Sequence, residues 1–145
     1  MMAADKRGLA ACVEAFLLLA LAHGAIHCLP FRLTARQLQR WSAESDDPGG
    51  NGALTKEQRA GVTLVRWAVQ TMARRHPLRP RCLARAMAAR LMLSRRGIPS
   101  TLFLGLRRRG PRSRSEMLAH AWLRAGDLPV SGGRGKTWKV VGRFS

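Results

Sequence analysis

A chain of 145 residues, 46% of them hydrophobic, is long enough for one domain that buries about two-thirds of its unfolded surface. Its 26 Lys and Arg against 8 Asp and Glu give a net charge of +18, a surplus that draws polyanions, anionic lipid or acidic peptides. Three cysteines, Cys12, Cys28 and Cys82, are too few and too unevenly spaced for a disulfide scaffold, which argues against a stapled secreted domain and fits free thiols in a reducing cytoplasm.

The chain opens with a polar, weakly basic segment, Met1 to Arg7, followed by the strongly apolar run Leu9 to Leu21. Glu14 interrupts that run, which speaks against a signal peptide, and its length is too short to span a bilayer, so no transmembrane segment is expected. Leu9, Val13, Phe16, Leu17, Ala20 and Leu21 recur at helical spacing, as the buried face of a core helix does. That helix should run from Leu9 to Leu29 and stop at Pro30, with peripheral membrane contact as the alternative role. His23, His27 and Cys28 lie together near its end, but no fourth ligand is close by, and no metal site is expected.

A short helix is predicted over Thr34 to Trp41, with Thr34 as N-cap, and a polar, Gly-rich loop from Glu44 to Gly52 is expected to be disordered. Thr55-Lys56-Glu57-Gln58 has the spacing of a capping box and should open a helix to about Arg75, with Val62, Val65, Trp67, Val69 and Met72 as its apolar positions. The loop His76 to Arg81 then gives way to a helix beginning at Cys82 and ending at Arg95-Arg96-Gly97-Ile98-Pro99.

Beyond Gly97, strands are predicted near Thr101–Arg107, Leu118–Ala125, Leu128–Ser131 and Thr137–Arg143. The fold class is α+β in a single domain over 1–145: N-terminal helices over 1–75, then a core over 76–145 in which the Cys82-bearing helix packs on a small antiparallel sheet. Much of the positive charge falls in Arg107-Arg108-Arg109-Gly110-Pro111-Arg112-Ser113-Arg114, between two predicted strands. Such a run is a solvated loop or, through Arg107, Arg108 and Arg109, a docking point for an acidic or polar peptide segment. Nucleic-acid readers interleave aromatics with such charge, and there is none between Phe103 and Trp122, so nucleic acid ranks below peptide as a partner.

Cys82 at a loop-to-helix junction and His120 in the strand Ala119-His120-Ala121-Trp122 are a candidate thiol nucleophile and its base. A thiolate is the reactive form of Cys, and the unpaired N–H groups of a helix's first turn favour an anion there, with Arg81 and Arg85 adding positive charge. An imidazole on a neighbouring strand can take the thiol proton and return it to the leaving group.

The order of these elements resembles the transglutaminase-like cysteine protease family and, within it, the B proteins of lasso-peptide biosynthesis, which cut the leader from a ribosomal precursor peptide. Pro80-Arg81-Cys82-Leu83, Arg95-Arg96-Gly97-Ile98-Pro99 and Ala119-His120-Ala121-Trp122 carry the resemblance, which runs clearly from about Arg74 to Val130. It implies a papain-like Cys/His/Asp hydrolase with Cys82 attacking the peptide carbonyl and His120 as general base, then general acid. It also implies partners: the lasso precursor peptide, a separate leader-recognition protein, and an ATP-dependent macrolactam synthetase. No nucleotide-binding loop is visible in this chain, so ATP belongs to the partner and no cofactor is expected here. A non-catalytic basic adaptor that keeps the fold and binds peptide, nucleic acid or membrane through its arginines is the alternative.

The resemblance places the orienting Asp about a dozen residues after the His, where this chain reads Val130-Ser131-Gly132-Gly133. The acidic residue after His120 is Asp127, in a Gly126-Asp127 turn, and seven strand residues at about 3.3 Å each would hold it roughly 20 Å from the ring along a regular hairpin. Either a bulge or fold-back brings Asp127 in as third member, or Ser131, a backbone carbonyl or water orients His120.

Overall fold

The structure, a computed structural model, describes residues 2–29, 33, 36, 53–108, 117–133 and 138–144. The predicted helix Thr34–Trp41 (apart from Arg36), the loop Glu44–Gly52 and the charged residues Arg109–Arg114 lie outside them. Among the described residues, three helices, α1 (Met2–Cys28), α2 (Lys56–Arg75) and α3 (Cys82–Arg95), precede four strands, β1 (Thr101–Arg108), β2 (Met117–Ala125), β3 (Leu128–Ser131) and β4 (Lys139–Phe144). The strands form one antiparallel sheet in the order β3-β2-β1-β4, so the architecture is α+β with helices first and sheet last.

Local chemistry sets the ends of α2 and α3. The Thr55 hydroxyl accepts from the Gln58 N–H at 3.2 Å while the Gln58 side chain accepts from the Thr55 N–H at 3.0 Å, a complete capping box. At the end of α3, Gly97 takes a positive φ of 67° and lets the N–H groups of Gly97 and Ile98 reach back to the carbonyls of Ser94 and Leu93. Leu93 and Ile98 are both buried in the core, which closes this turn with an apolar contact.

α1 departs from the sequence expectation in length and in facing. It begins at Met2 and continues to Cys28, and over Lys6–Cys28 it has the length and composition to cross a membrane, because Ala22 to Cys28 extends the apolar run without an Asp, Glu, Lys or Arg. Ala11, Ala15, Leu19 and Ala22 form the buried face against α2 and α3, whereas Leu9, Val13, Phe16, Leu17 and Leu21 are exposed. The two stripes have the same helical period and are offset by two residues, so spacing alone does not choose between them. Small side chains let the helix backbones approach closely, and that seam is the one that packs. Glu14 lies at its edge, where its carboxylate binds Arg95, the last residue of α3, at 3.0 Å and the C-cap Arg96 at 2.8 Å.

On α2, Val62, Val65, Ala68, Val69 and Ala73 are buried, but Trp67 is 51% exposed rather than part of the core stripe. Its ring lies beside Gly8 of α1. α3 carries Ala84, Ala86, Ala88, Ala89, Met92 and Leu93 into the core and packs on β2, where Ala121, Leu123 and Ala125 face it. Buried Arg90 on α3 donates to the Phe144 carbonyl of β4, and burial pushes its guanidinium below the usual range.

Candidate active site

Cys82 is the first residue of α3, half-buried and free, as Cys12 and Cys28 are also free. Fully buried Pro80 anchors the approach to the helix, and the Arg85 Nε–H donates to its carbonyl at 2.9 Å. Arg81 occupies the N-cap position without a side-chain cap, so the first-turn N–H groups have no capping side chain above them. Just before it, Arg79 adopts a positive φ of 47°, a conformation that non-glycine residues seldom take and that concentrates at functional loops.

Cys82 and His120 line one cleft of about 430 Å³ together with Arg79, Arg81, Arg85 and Gly132. Both also line a smaller cavity of about 310 Å³ between the start of α3 and strands β1 and β2. Among the described residues no hydrogen bond joins the thiol to the imidazole. The two-residue pleat explains this: Ala121 and Leu123 face the helices, so His120 and Trp122 stand on the opposite face of β2. The ring rests at the sheet's margin, where β3 has ended.

There the ring is held on several sides. Its Nε2 lies 2.7 Å from the carbonyl oxygen of Gly132. A carbonyl can only accept, so Nε2 carries the proton and the neutral ring keeps its lone pair on Nδ1. Trp138 stacks on the imidazole with ring centroids 4.9 Å apart, and Trp122 lies at 6.0 Å. Gly105 pairs with His120 across the β1–β2 ladder, and a Cβ there would come within 2.6 Å of the Trp122 ring and 2.8 Å of the Trp138 Cβ. An interior strand glycine is the sequence signal of such a close approach.

The other predicted residues are distributed differently. Asp127 sits in the β2–β3 turn, where Gly126 supplies a φ of 57°, and its carboxylate pairs with Arg59 of α2 at 3.1 Å. A bulge does shift the β2–β3 register between Leu123 and Arg124, yet Asp127 remains at the turn and the carbonyl of Gly132 meets the ring. Ser131, buried beside the cleft, precedes that glycine. Arg107 places its guanidinium 4.7 Å from the centre of the Trp138 ring, and Arg108 ends β1. Arg109 lies outside the described residues. The cleft arginines are Arg79, Arg81 and Arg85.

The His23 and His27 rings lie 4.3 Å apart with their planes tilted by 55°, and desolvation, then the neighbouring His27, His76 and Arg81, holds the His23 imidazole below its ordinary range. In buried His76 the Nδ1 accepts from the Leu78 N–H at 3.3 Å and the Nε2 lies 3.3 Å from the Phe16 carbonyl oxygen. Among the described residues no group of three or more His, Cys, Asp or Glu could hold a metal ion.

A helix-start cysteine and a strand histidine thus line one cleft of an α+β domain, the two residue types with which thiol hydrolases and acyl-transfer enzymes work. A family model described as the transglutaminase-like superfamily matches residues 25–142, and the chain belongs to that superfamily, which includes cysteine peptidases. No curated protein and no solved structure matches the chain.

Proposed function

We propose that the chain is a cysteine peptidase that removes the leader from a lasso precursor peptide, with Cys82 as nucleophile and His120 as general base and acid. The shared cleft of Cys82 and His120 is the observation that carries this reading. Swinging about its side-chain torsions, or acting through one bridging water, His120 accepts the thiol proton at Nδ1 as Sγ bonds to the scissile carbonyl carbon. The imidazolium then gives that proton to the departing amine as the C–N bond breaks, leaving a thioester. Water adds to the thioester with its proton passing to His120, and the thiol is restored when the acid product leaves. Arg79, Arg81 and Arg85 give the cleft a positive wall suited to an acidic or polar peptide segment. The precursor, a separate leader-recognition protein and an ATP-dependent macrolactam synthetase are the partners of this reading, and the cytoplasm its compartment.

The alternative is a non-catalytic basic adaptor, favoured by the lack, among the described residues, of a carboxylate bonded to His120. One assay separates the two. Cys82→Ala and His120→Ala, folded and presented with precursor and partners, should each lose cleavage by about a thousandfold or more. Near-parental cleavage by either variant would overturn the mechanism, and binding of precursor without any cleavage by the parent chain would favour the adaptor.

A further inference from the structure

The smaller cavity beside the nucleophile differs in chemistry from the arginine-walled cleft. Besides Cys82 and His120 it is lined by Leu83, Leu104, Gly105, Leu106, Ala119 and Ala121, with no charged side chain among them. Its volume of about 310 Å³ is that of roughly ten waters, enough for one branched or aromatic side chain and too little for a peptide segment. Leu104, Leu106, Ala119 and Ala121 alternate along β1 and β2 and share the helix-facing side of the sheet, so the pocket floor is a rigid ladder. Ala119 and Ala121 contribute only methyl groups, which is what leaves the space open.

Resting on the peptidase reading, we propose that this cavity is the specificity pocket of the site and takes a large apolar side chain, leucine- or phenylalanine-like, from the substrate residue next to the scissile bond. The position follows from continuity: the walls of the pocket include the nucleophile itself, so a side chain seated there holds its own carbonyl close to Cys82 Sγ. Removing such a side chain from water favours Leu or Phe over Ala at that residue by about ten- to a hundredfold in kcat/KM. An acidic side chain would leave its charge unpaired among leucines and alanines, and is rejected.

Peptidyl acyloxymethyl ketones test this without the natural substrate. The Cys82 thiolate displaces the carboxylate leaving group, forming a C–S bond that intact-mass spectrometry reads directly. Probes carrying Leu, Phe, Ala or Asp beside the ketone are compared on the full chain, with Cys82→Ser marking labelling at other thiols. The expected result is labelling of Cys82 at least tenfold faster by the Leu and Phe probes than by Ala or Asp. Ala119→Phe, which fills the pocket, should bring the Leu probe down to the rate of the Ala probe, and Leu106→Trp provides a second filling variant should the first not fold. Equal rates for all four probes, or an undiminished Leu preference in a folded filling variant, would overturn the pocket while leaving the nucleophile in place. Failure of every probe to label Cys82 would instead sink the nucleophile reading, and the pocket with it.

Discussion

The ring of His120 is tied to the backbone of Gly132, twelve residues further along the chain, by a 2.7 Å hydrogen bond to a carbonyl oxygen. The carbonyl fixes the tautomer as a carboxylate would, but supplies a dipole instead of a full negative charge to an imidazolium. Gly132 also has a φ of 80°, and a Cβ on it would meet the Ala121 carbonyl oxygen at 2.5 Å and the Trp122 Cβ at 2.8 Å. Gly132→Ala should therefore move the carbonyl, lower kcat by about tenfold or more and cost about 1–3 kcal/mol of stability. Parental turnover and melting temperature in that variant would show that the ring is oriented by something else.

Asp127 tests the same assignment from the other side. Its carboxylate is engaged by Arg59 at the surface, with both side chains well exposed. Asp127→Asn should leave kcat within about twofold and change stability by no more than about 1 kcal/mol, the range of exposed ion pairs. A fall in kcat by orders of magnitude with the fold intact would restore the carboxylate as third member of a triad.

Trp138 is a positioning residue on this geometry, since it stacks on His120 with Arg107 on the ring as well. Trp138→Ala should reduce kcat by about tenfold with KM little changed, because the imidazole loses its stacking partner. Trp138→Phe should recover most of the loss. Equal effects on kcat and KM, or no rescue by Phe, would reduce Trp138 to general packing.

How far the sequence reaches is visible in particular residues. Thr55 and Gln58, Gly97 and the Gly126-Asp127 turn announce their structures because each depends on neighbours a few positions away. The helix start at Cys82 and the strand around His120 were legible for the same reason. The partner of His120 was not, because a backbone carbonyl is present at every position and only the β2–β3 register, with its bulge, decides which one arrives. The stacking of Trp138 on His120 likewise depends on β4 crossing to pair with β1, a non-local event with no local sign except Gly105.

The facing of α1 gives the last prediction. Leu19 is fully buried with Ala11 and Ala15 against the other helices, while Leu17 is 62% exposed two positions away. Leu19→Ala removes a packed side chain and should destabilise the domain by about 2–5 kcal/mol, whereas Leu17→Ala should cost under about 0.5 kcal/mol. Ala15→Leu should also destabilise, by about 1–3 kcal/mol, since it pushes two close helices apart. Denaturant unfolding of the three variants reads the order directly. If Leu17→Ala proved as costly as Leu19→Ala, the large apolar stripe would be the packed one and the alanine seam would not be the contact that holds α1 to α2 and α3.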